Sequence, residues 1–217
     1  MIGRRGQPKE RGTINKRSER SMELLPGSRD VHVTHVRGRI SCTPDEFEET
    51  WKIHDAIEST PNPLNKKYMI KRKQCTFGAE YTFGGQKSKR FPGPTPPLVQ
   101  KVLDDVRREA GDMYDVVHTN FYPDGKAGLM PHADDESRHN EGMAIYSYTF
   151  LSEPGNPRGF QIYEKDEQVA EYMLDHGDLF VMGGGMQRYY KHGVKKSSAK
   201  RYAELRRINM TVRAWRE

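Results

Sequence analysis

Cysteine is scarce in this chain. Cys42 and Cys75 are the two present, too few for a disulfide scaffold or a structural zinc site and not in a Cys-x-x-Cys motif, so both read as reduced, structural thiols. Long apolar runs are missing too: nothing approaches the ~20 residues of a membrane span, and the opening Met1-Ile2-Gly3-Arg4-Arg5 has no signal-peptide core. The expectation is an intracellular, soluble protein with no membrane partner. Internal repeats and low-complexity tracts are absent. Hydrophobic residues reach only 34%, yet 10% aromatics with 20 glycines and 13 prolines describe a turn-rich folded chain rather than a disordered one. A length of 217 residues suits one domain with a real core, expected as a monomer.

Positive charge is in excess, with 36 Lys and Arg against 30 Asp and Glu. Its distribution says more than its sum. Residues 65–90 carry eight basic side chains against Glu80 alone, and residues 187–216 carry ten against Glu204 alone. Two cationic segments around a more acidic middle suggest a charged groove that suits a polyanion; a basic protein that is merely soluble is the alternative.

The first thirty residues are rich in Arg, Lys, Ser and Gly without an apolar period, and read as a mobile basic arm ahead of one domain over residues 31–217. Thr43-Pro44-Asp45-Glu46 is a capping box with proline at the first helical position, followed by Phe47, Trp51, His54 and Ile57 on one helical stripe. Thr95-Pro96-Pro97 opens a second helix, with Leu98, Val99, Val102, Leu103 and Val106 periodic and Gly111 beyond its end. Lys71 to Phe83 looks like strands or a hairpin. After Gly111 come short aromatic and β-branched runs over residues 113–122, 144–151, 159–163, 178–182, 188–194 and 207–215, the texture of a β-sandwich, jelly roll or barrel. The fold class is therefore α+β and mainly β.

His132-Ala133-Asp134 follows Asn120-Phe121-Tyr122-Pro123-Asp124-Gly125, and in an extended segment side chains two apart emerge on one face. A His-x-Asp pair alone is a weak signal. His192, after the Gly183-Gly184-Gly185 turn, supplies a second imidazole, and two histidines with one carboxylate leave three positions open on an octahedral Fe(II). In Arg207-Ile208-Asn209-Met210-Thr211-Val212-Arg213, alternation sends Arg207, Asn209, Thr211 and Arg213 to one face and apolar residues to the other. Guanidiniums inside a sheet need an anion: internal Asp or Glu residues, or a dicarboxylate that chelates the metal at its other end.

At these residues the chain resembles the AlkB family of Fe(II) and 2-oxoglutarate dioxygenases, from Lys71 to Trp215. The matching pieces are Asn120-Phe121-Tyr122 with Asp124-Gly125, His132-Ala133-Asp134-Asp135-Glu136, Gly177-Asp178-Leu179-Phe180-Val181-Met182, His192, and Arg207 to Arg213. The resemblance implies a double-stranded β-helix (jelly-roll) core with flanking N-terminal helices. It implies His132, Asp134 and His192 as iron ligands, and Asn120, Tyr122, Arg207, Asn209, Thr211 and Arg213 as the pocket for 2-oxoglutarate, with oxygen as the oxidant. His118, His139 and His176 are then dispensable. Arg72-Lys73-Gln74 and Tyr81-Thr82-Phe83-Gly84 are similar to the members that repair alkylated bases in nucleic acid, which implies Tyr81 and Phe83 stacking on an extruded base. Asp135 and Glu136 would offset the charge of a cationic base such as 1-methyladenine or 3-methylcytosine; a solvated loop is the alternative. The implied function is oxidative demethylation of N-alkylated DNA or RNA. An oxygenase acting on protein or a small molecule would share the iron core without needing the cationic segments, and a non-catalytic nucleic-acid binder would not need the filled metal positions.

Overall fold

The computed structural model describes residues 19–26, 31–62, 65–78, 81–83, 86–134 and 142–214, with backbone alone at 81–83 and 86–88. Helix α1 (Pro44–Ala56) begins at the capping box: Thr43 Oγ1 accepts from the Glu46 N–H at 3.2 Å, and the Glu46 carboxylate accepts from the Thr43 N–H at 2.9 Å. Helix α2 (Pro97–Ala110) ends at Gly111, whose φ of 100° is open to glycine and strained for other residues.

The strands are β1 (Arg20–Leu24), β2 (His32–Val36), β3 (Lys73–Phe77), β4 (Tyr81–Phe83), β5 (Gln86–Ser88), β6 (Tyr114–Tyr122), β7 (Leu129–His132), β8 (Ile145–Leu151), β9 (Arg158–Glu164), β10 (Glu167–Leu174), β11 (Asp178–Met182), β12 (Tyr190–Val194) and β13 (Arg207–Ala214). A seven-stranded sheet runs β1-β2-β11-β8-β13-β6-β3 and a four-stranded sheet β10-β9-β12-β7, all pairings within them antiparallel. This is the jelly-roll arrangement. One face of the larger sheet packs Phe121, Tyr148, Phe150, Ile208, Met210 and Val212 against Phe47 and Trp51 of α1 and Leu98, Val99, Val102 and Val106 of α2. Its other face meets the smaller sheet, where Tyr122, Phe180 and Met182 bury against Phe160, Ile162, Leu174 and Tyr190. At about 1.5–3 kcal/mol for each fully buried large apolar side chain, these two layers fix which face of every central strand is left for polar groups.

Three expectations need correction. The basic arm does not extend to residue 30: Arg20–Leu24 pairs along β2, and Leu25 is buried beside Val31 and Val33. Backbone hydrogen bonding to a neighbouring strand holds this segment although its own five side chains are all exposed. The run 188–194 is not one strand, because Met186–Tyr189 coils into a short helix, α3, before β12. Finally, Glu167–Leu174 is a full strand that the reading above omits.

Candidate active site

The β7–β12 ladder sets His132 directly opposite His192, with ring centroids 4.3 Å apart. Cross-strand partners share a face, and Asp134, two residues past His132, turns its carboxylate between the rings. Its Oδ1 lies 3.6 Å from His132 Nε2 and its Oδ2 lies 3.7 Å from His192 Nε2. One donor atom from each of the three residues lies within 4.8 Å of the others. Three convergent donors at these separations can hold a metal ion between them. His132 Nδ1 is 2.8 Å from the Met130 carbonyl, so a proton carried there leaves the Nε2 lone pair facing inward. The Asp134 N–H donates to Gln187 Oε1 at 2.9 Å, which ties the carboxylate-bearing backbone to α3.

Protonation states suit a metal. Burial alone would raise the Asp134 carboxyl, but the Arg213 guanidinium and the two imidazoles hold it well below the usual range. Burial and the neighbouring His132 push His192 down to about 3. An ionised carboxylate and a neutral His192 imidazole are forms that ligate, and the donor set fits Fe(II) with positions left open.

From this centre a cavity runs along β6 and β13. Asn120, Tyr122, Asn209, Thr211 and Arg213 all line it, as expected. The two arginines of β13 differ in their surroundings. Arg213 Nη2 donates to Asp134 Oδ2 at 2.9 Å and to Thr211 Oγ1 at 3.1 Å, so the internal-acid alternative holds for this arginine. Arg207 stands one layer back from the cavity, its guanidinium 4.9 Å from the centroid of the Tyr122 ring and its Nη2 donating to Thr149 Oγ1 at 3.0 Å. Its Nε and Nη1, and the Tyr122 hydroxyl, are buried with no hydrogen-bond partner among the described residues. Burial pushes the Arg207 guanidinium down to about 10. Orphaned donors of this kind fit a missing carboxylate.

The cavity wall also includes residues that are not among the candidates above, the polar or aromatic ones being Arg72, His118, Ser147 and Phe160. His118 shares a strand face with Asn120 and Tyr122, so period-2 alternation along β6 was the signal for it, and it is no neutral control. His176 is not part of the cavity wall: its Nδ1 lies 2.7 Å from the Leu151 carbonyl and its Nε2 3.0 Å from that of Cys42. The third control, His139, lies outside the described residues, as do Asp135 and Glu136. Tyr81 and Phe83 fall on β4, but their side chains lie outside the description.

Residues 25–213 match the family model described as the 2OG-Fe(II) oxygenase superfamily. The chain belongs to that superfamily. This oxygenase therefore uses Fe(II), 2-oxoglutarate and oxygen, and its relatives are of the AlkB type. DNA oxidative demethylase ALKBH2 of Bos taurus is 29% identical over 162 residues, covering 69% of this chain and 55% of that protein. The Homo sapiens protein of the same name is 28% identical, with 59% of its length covered. Alpha-ketoglutarate-dependent dioxygenase alkB homolog 3 of Rattus norvegicus is 29% identical over 54% of this chain and 41% of its own. The oxygenase thus spans roughly half the length of the curated relatives it matches. Two solved structures share its fold at 16% identity: OsALKBH1, with a TM-score of 0.56 over 89% of this chain and 99% of that one, and a Pseudomonas putida prolyl-4-hydroxylase, with 0.50 over 85% and 92%.

Proposed function

We propose that this oxygenase removes alkyl groups oxidatively from ring nitrogens of bases in DNA or RNA, with substrates such as 1-methyladenine and 3-methylcytosine. The observation that supports it most is a convergent His132, Asp134 and His192 centre in a chain with curated relatives named DNA oxidative demethylase ALKBH2. When bound, Fe(II) supplies the oxidation, in which one atom of O2 goes to 2-oxoglutarate, giving succinate and carbon dioxide, and the other to the substrate methyl. The hydroxymethyl group on nitrogen then leaves as formaldehyde.

The chain's own residues have separate tasks in this reading. His132, Asp134 and His192 hold the metal, and Arg213 keeps Asp134 ionised and aimed. Asn120, Tyr122, Arg207, Asn209 and Thr211 hold the co-substrate, with Arg207 and the Tyr122 hydroxyl offering unused donors to a carboxylate. Tyr81 and Phe83 stack on the extruded base, while Asp135 and Glu136 offset its positive charge. Residues 31–217 act as the catalytic unit. No helix among the described residues is long and apolar enough to cross a membrane.

Mass spectrometry of 1-methyladenine and 3-methylcytosine oligonucleotides, as DNA and as RNA, incubated with iron, 2-oxoglutarate and ascorbate tests the reading. Loss of the methyl mass from the base is expected. Intact methylated oligonucleotides alongside 2-oxoglutarate turnover stimulated by a protein or small molecule would replace it with the other oxygenase class.

A further inference from the structure

Among the described residues four guanidiniums are buried: Arg72, Arg158, Arg207 and Arg213. Arg158 donates to backbone carbonyls, among them Ala127 at 3.1 Å and Lys195 at 3.0 Å. Arg213 is paired with Asp134, and Arg207 is set behind the Tyr122 ring. Arg72 is different. It lines the cavity, is only 8% exposed, and has no acidic partner among the described residues. Its Nη1 donates to Gln74 Oε1 at 2.5 Å and to Asn120 Oδ1. Its Nε is buried without an acceptor. Two neutral amide oxygens on one nitrogen orient this side chain but leave its charge uncompensated, and burial lowers its pKa.

Register fixes where along the cavity it acts. Gln74 pairs with Asn120, and Asn120 with Asn209, so the Arg72 backbone, two residues before Gln74, stands beside Tyr122, the partner of Arg207, and its guanidinium reaches back to Asn120. Arg213 and Thr211 lie at the other end of β13, beside Asp134. The cavity therefore has a metal-binding end, which includes Arg213, and a remote end at Tyr122, beside the backbone of Arg72.

We propose that Arg72 is a binding residue for the metal-remote carboxylate of 2-oxoglutarate, complementing Arg207 across Tyr122. A buried cation whose Nε lacks an acceptor gains most from a small anion that enters the same enclosed space, and the co-substrate is a dianion. A nucleic-acid phosphate, fixed to a polymer at the surface, has no comparable access to an atom buried at this depth.

The inference rests on 2-oxoglutarate as co-substrate, and its test separates the two. Binding of 2-oxoglutarate and of 2-oxobutyrate, which lacks the remote carboxylate, is measured by calorimetry on anaerobic Mn(II)-loaded protein, for wild type, Arg72→Gln and Arg72→Lys. Arg72→Gln is expected to weaken 2-oxoglutarate about tenfold to a hundredfold, to leave 2-oxobutyrate within about twofold, and to leave affinity for a methylated oligonucleotide unchanged. Arg72→Lys, which restores the charge, should recover part of the loss. A merely structural role would weaken both keto acids alike. Unchanged 2-oxoglutarate affinity in either folded variant, or a loss confined to oligonucleotide binding, would overturn the proposal. Failure of loaded wild-type protein to bind 2-oxoglutarate at all would instead overturn the co-substrate reading. Should Arg72→Gln fail to fold, Arg72→Lys carries the same comparison, with a smaller but still selective loss for 2-oxoglutarate expected.

Discussion

At the scale of single residues, the proposed metal centre stands or falls on His192. Its ring is buried, held neutral, and directed at Asp134. His192→Ala is expected to weaken Mn(II) binding by more than the roughly 10- to 100-fold that loss of an outer-shell partner costs. His176→Ala should leave metal affinity alone, because both ring nitrogens of His176 face backbone carbonyls away from the cavity. Titration of both variants followed by electron paramagnetic resonance distinguishes them, and full Mn(II) affinity in His192→Ala would remove this residue from the ligand set. A second expectation concerns the base. Stacking on an aromatic is worth about 1–3 kcal/mol, so Phe83→Ala should lose roughly tenfold to a hundredfold in methylated-oligonucleotide binding. Conversion of 2-oxoglutarate to succinate without nucleic acid should persist in that variant. Wild-type demethylation by Phe83→Ala would return Phe83 to a packing role.

Residue by residue, the site was unevenly legible. His132, Asp134, His192 and the polar face of β13 announce themselves through spacing and alternation, which fix side-chain direction without any tertiary knowledge. Arg72 does not. In sequence it is the middle of Lys71-Arg72-Lys73, one cation among eight; in the fold, Lys71 reaches Asp124 at 2.8 Å and Lys73 the His54 carbonyl at 2.9 Å, while Arg72 alone turns inward. Only burial separates the three.

At the scale of elements, α1 and α2 were readable because caps and apolar period are local. β1 was not, since all five of its side chains are exposed and its place comes from ladder hydrogen bonds to β2. β10 lacks a clear pattern for the same reason, with most of its length exposed or half-buried on an edge of the smaller sheet. The junction of β2 and β11 carries a pH dependence. Asp178 accepts from His35 at 2.8 Å, from the Gly38 N–H at 2.8 Å and from the Asp175 N–H at 2.9 Å. Burial alone would raise its pKa, but these partners overcome it and the pKa is depressed. A depressed carboxyl contributes stability that is fully present above the unfolded value, about 3.9, and is lost as pH falls through the folded one. Asp178→Asn is accordingly expected to cost about 1.5–3 kcal/mol near neutrality, with the gap to wild type narrowing below about pH 4. Urea unfolding at several pH values checks this, and a gap that stays constant into acid would show that Asp178 is not ionised in the fold.

For the whole molecule, net charge of +6 overstates the free cationic surface. Arg72, Arg207 and Arg213 are buried, and Lys71 and Arg206 are paired with Asp124 and Glu48. Exposed positive charge remains at Lys66, Lys67, Lys89, Arg90, Arg188, Lys195, Lys196, Lys200 and Arg201. Phosphate contacts from these groups predict affinity that falls steeply with salt through counterion release. Each contact removed should lower the slope of log K against log salt by about 0.9 on duplex and 0.7 on single strands. A Lys66→Ala, Lys67→Ala double variant with an unchanged slope would exclude the 60–70 segment from the interface.

The central claim joins one iron site to one nucleic-acid substrate, so the most direct measurement counts both products together. Formaldehyde and succinate are quantified in the same reaction on an oligonucleotide carrying a single 3-methylcytosine, for wild type and Asp134→Ala. Formaldehyde from wild type, matched by the rise in succinate that the methylated oligonucleotide causes, and neither product from the variant are predicted. Succinate formed without formaldehyde, at a rate the methylated oligonucleotide does not change, would contradict it.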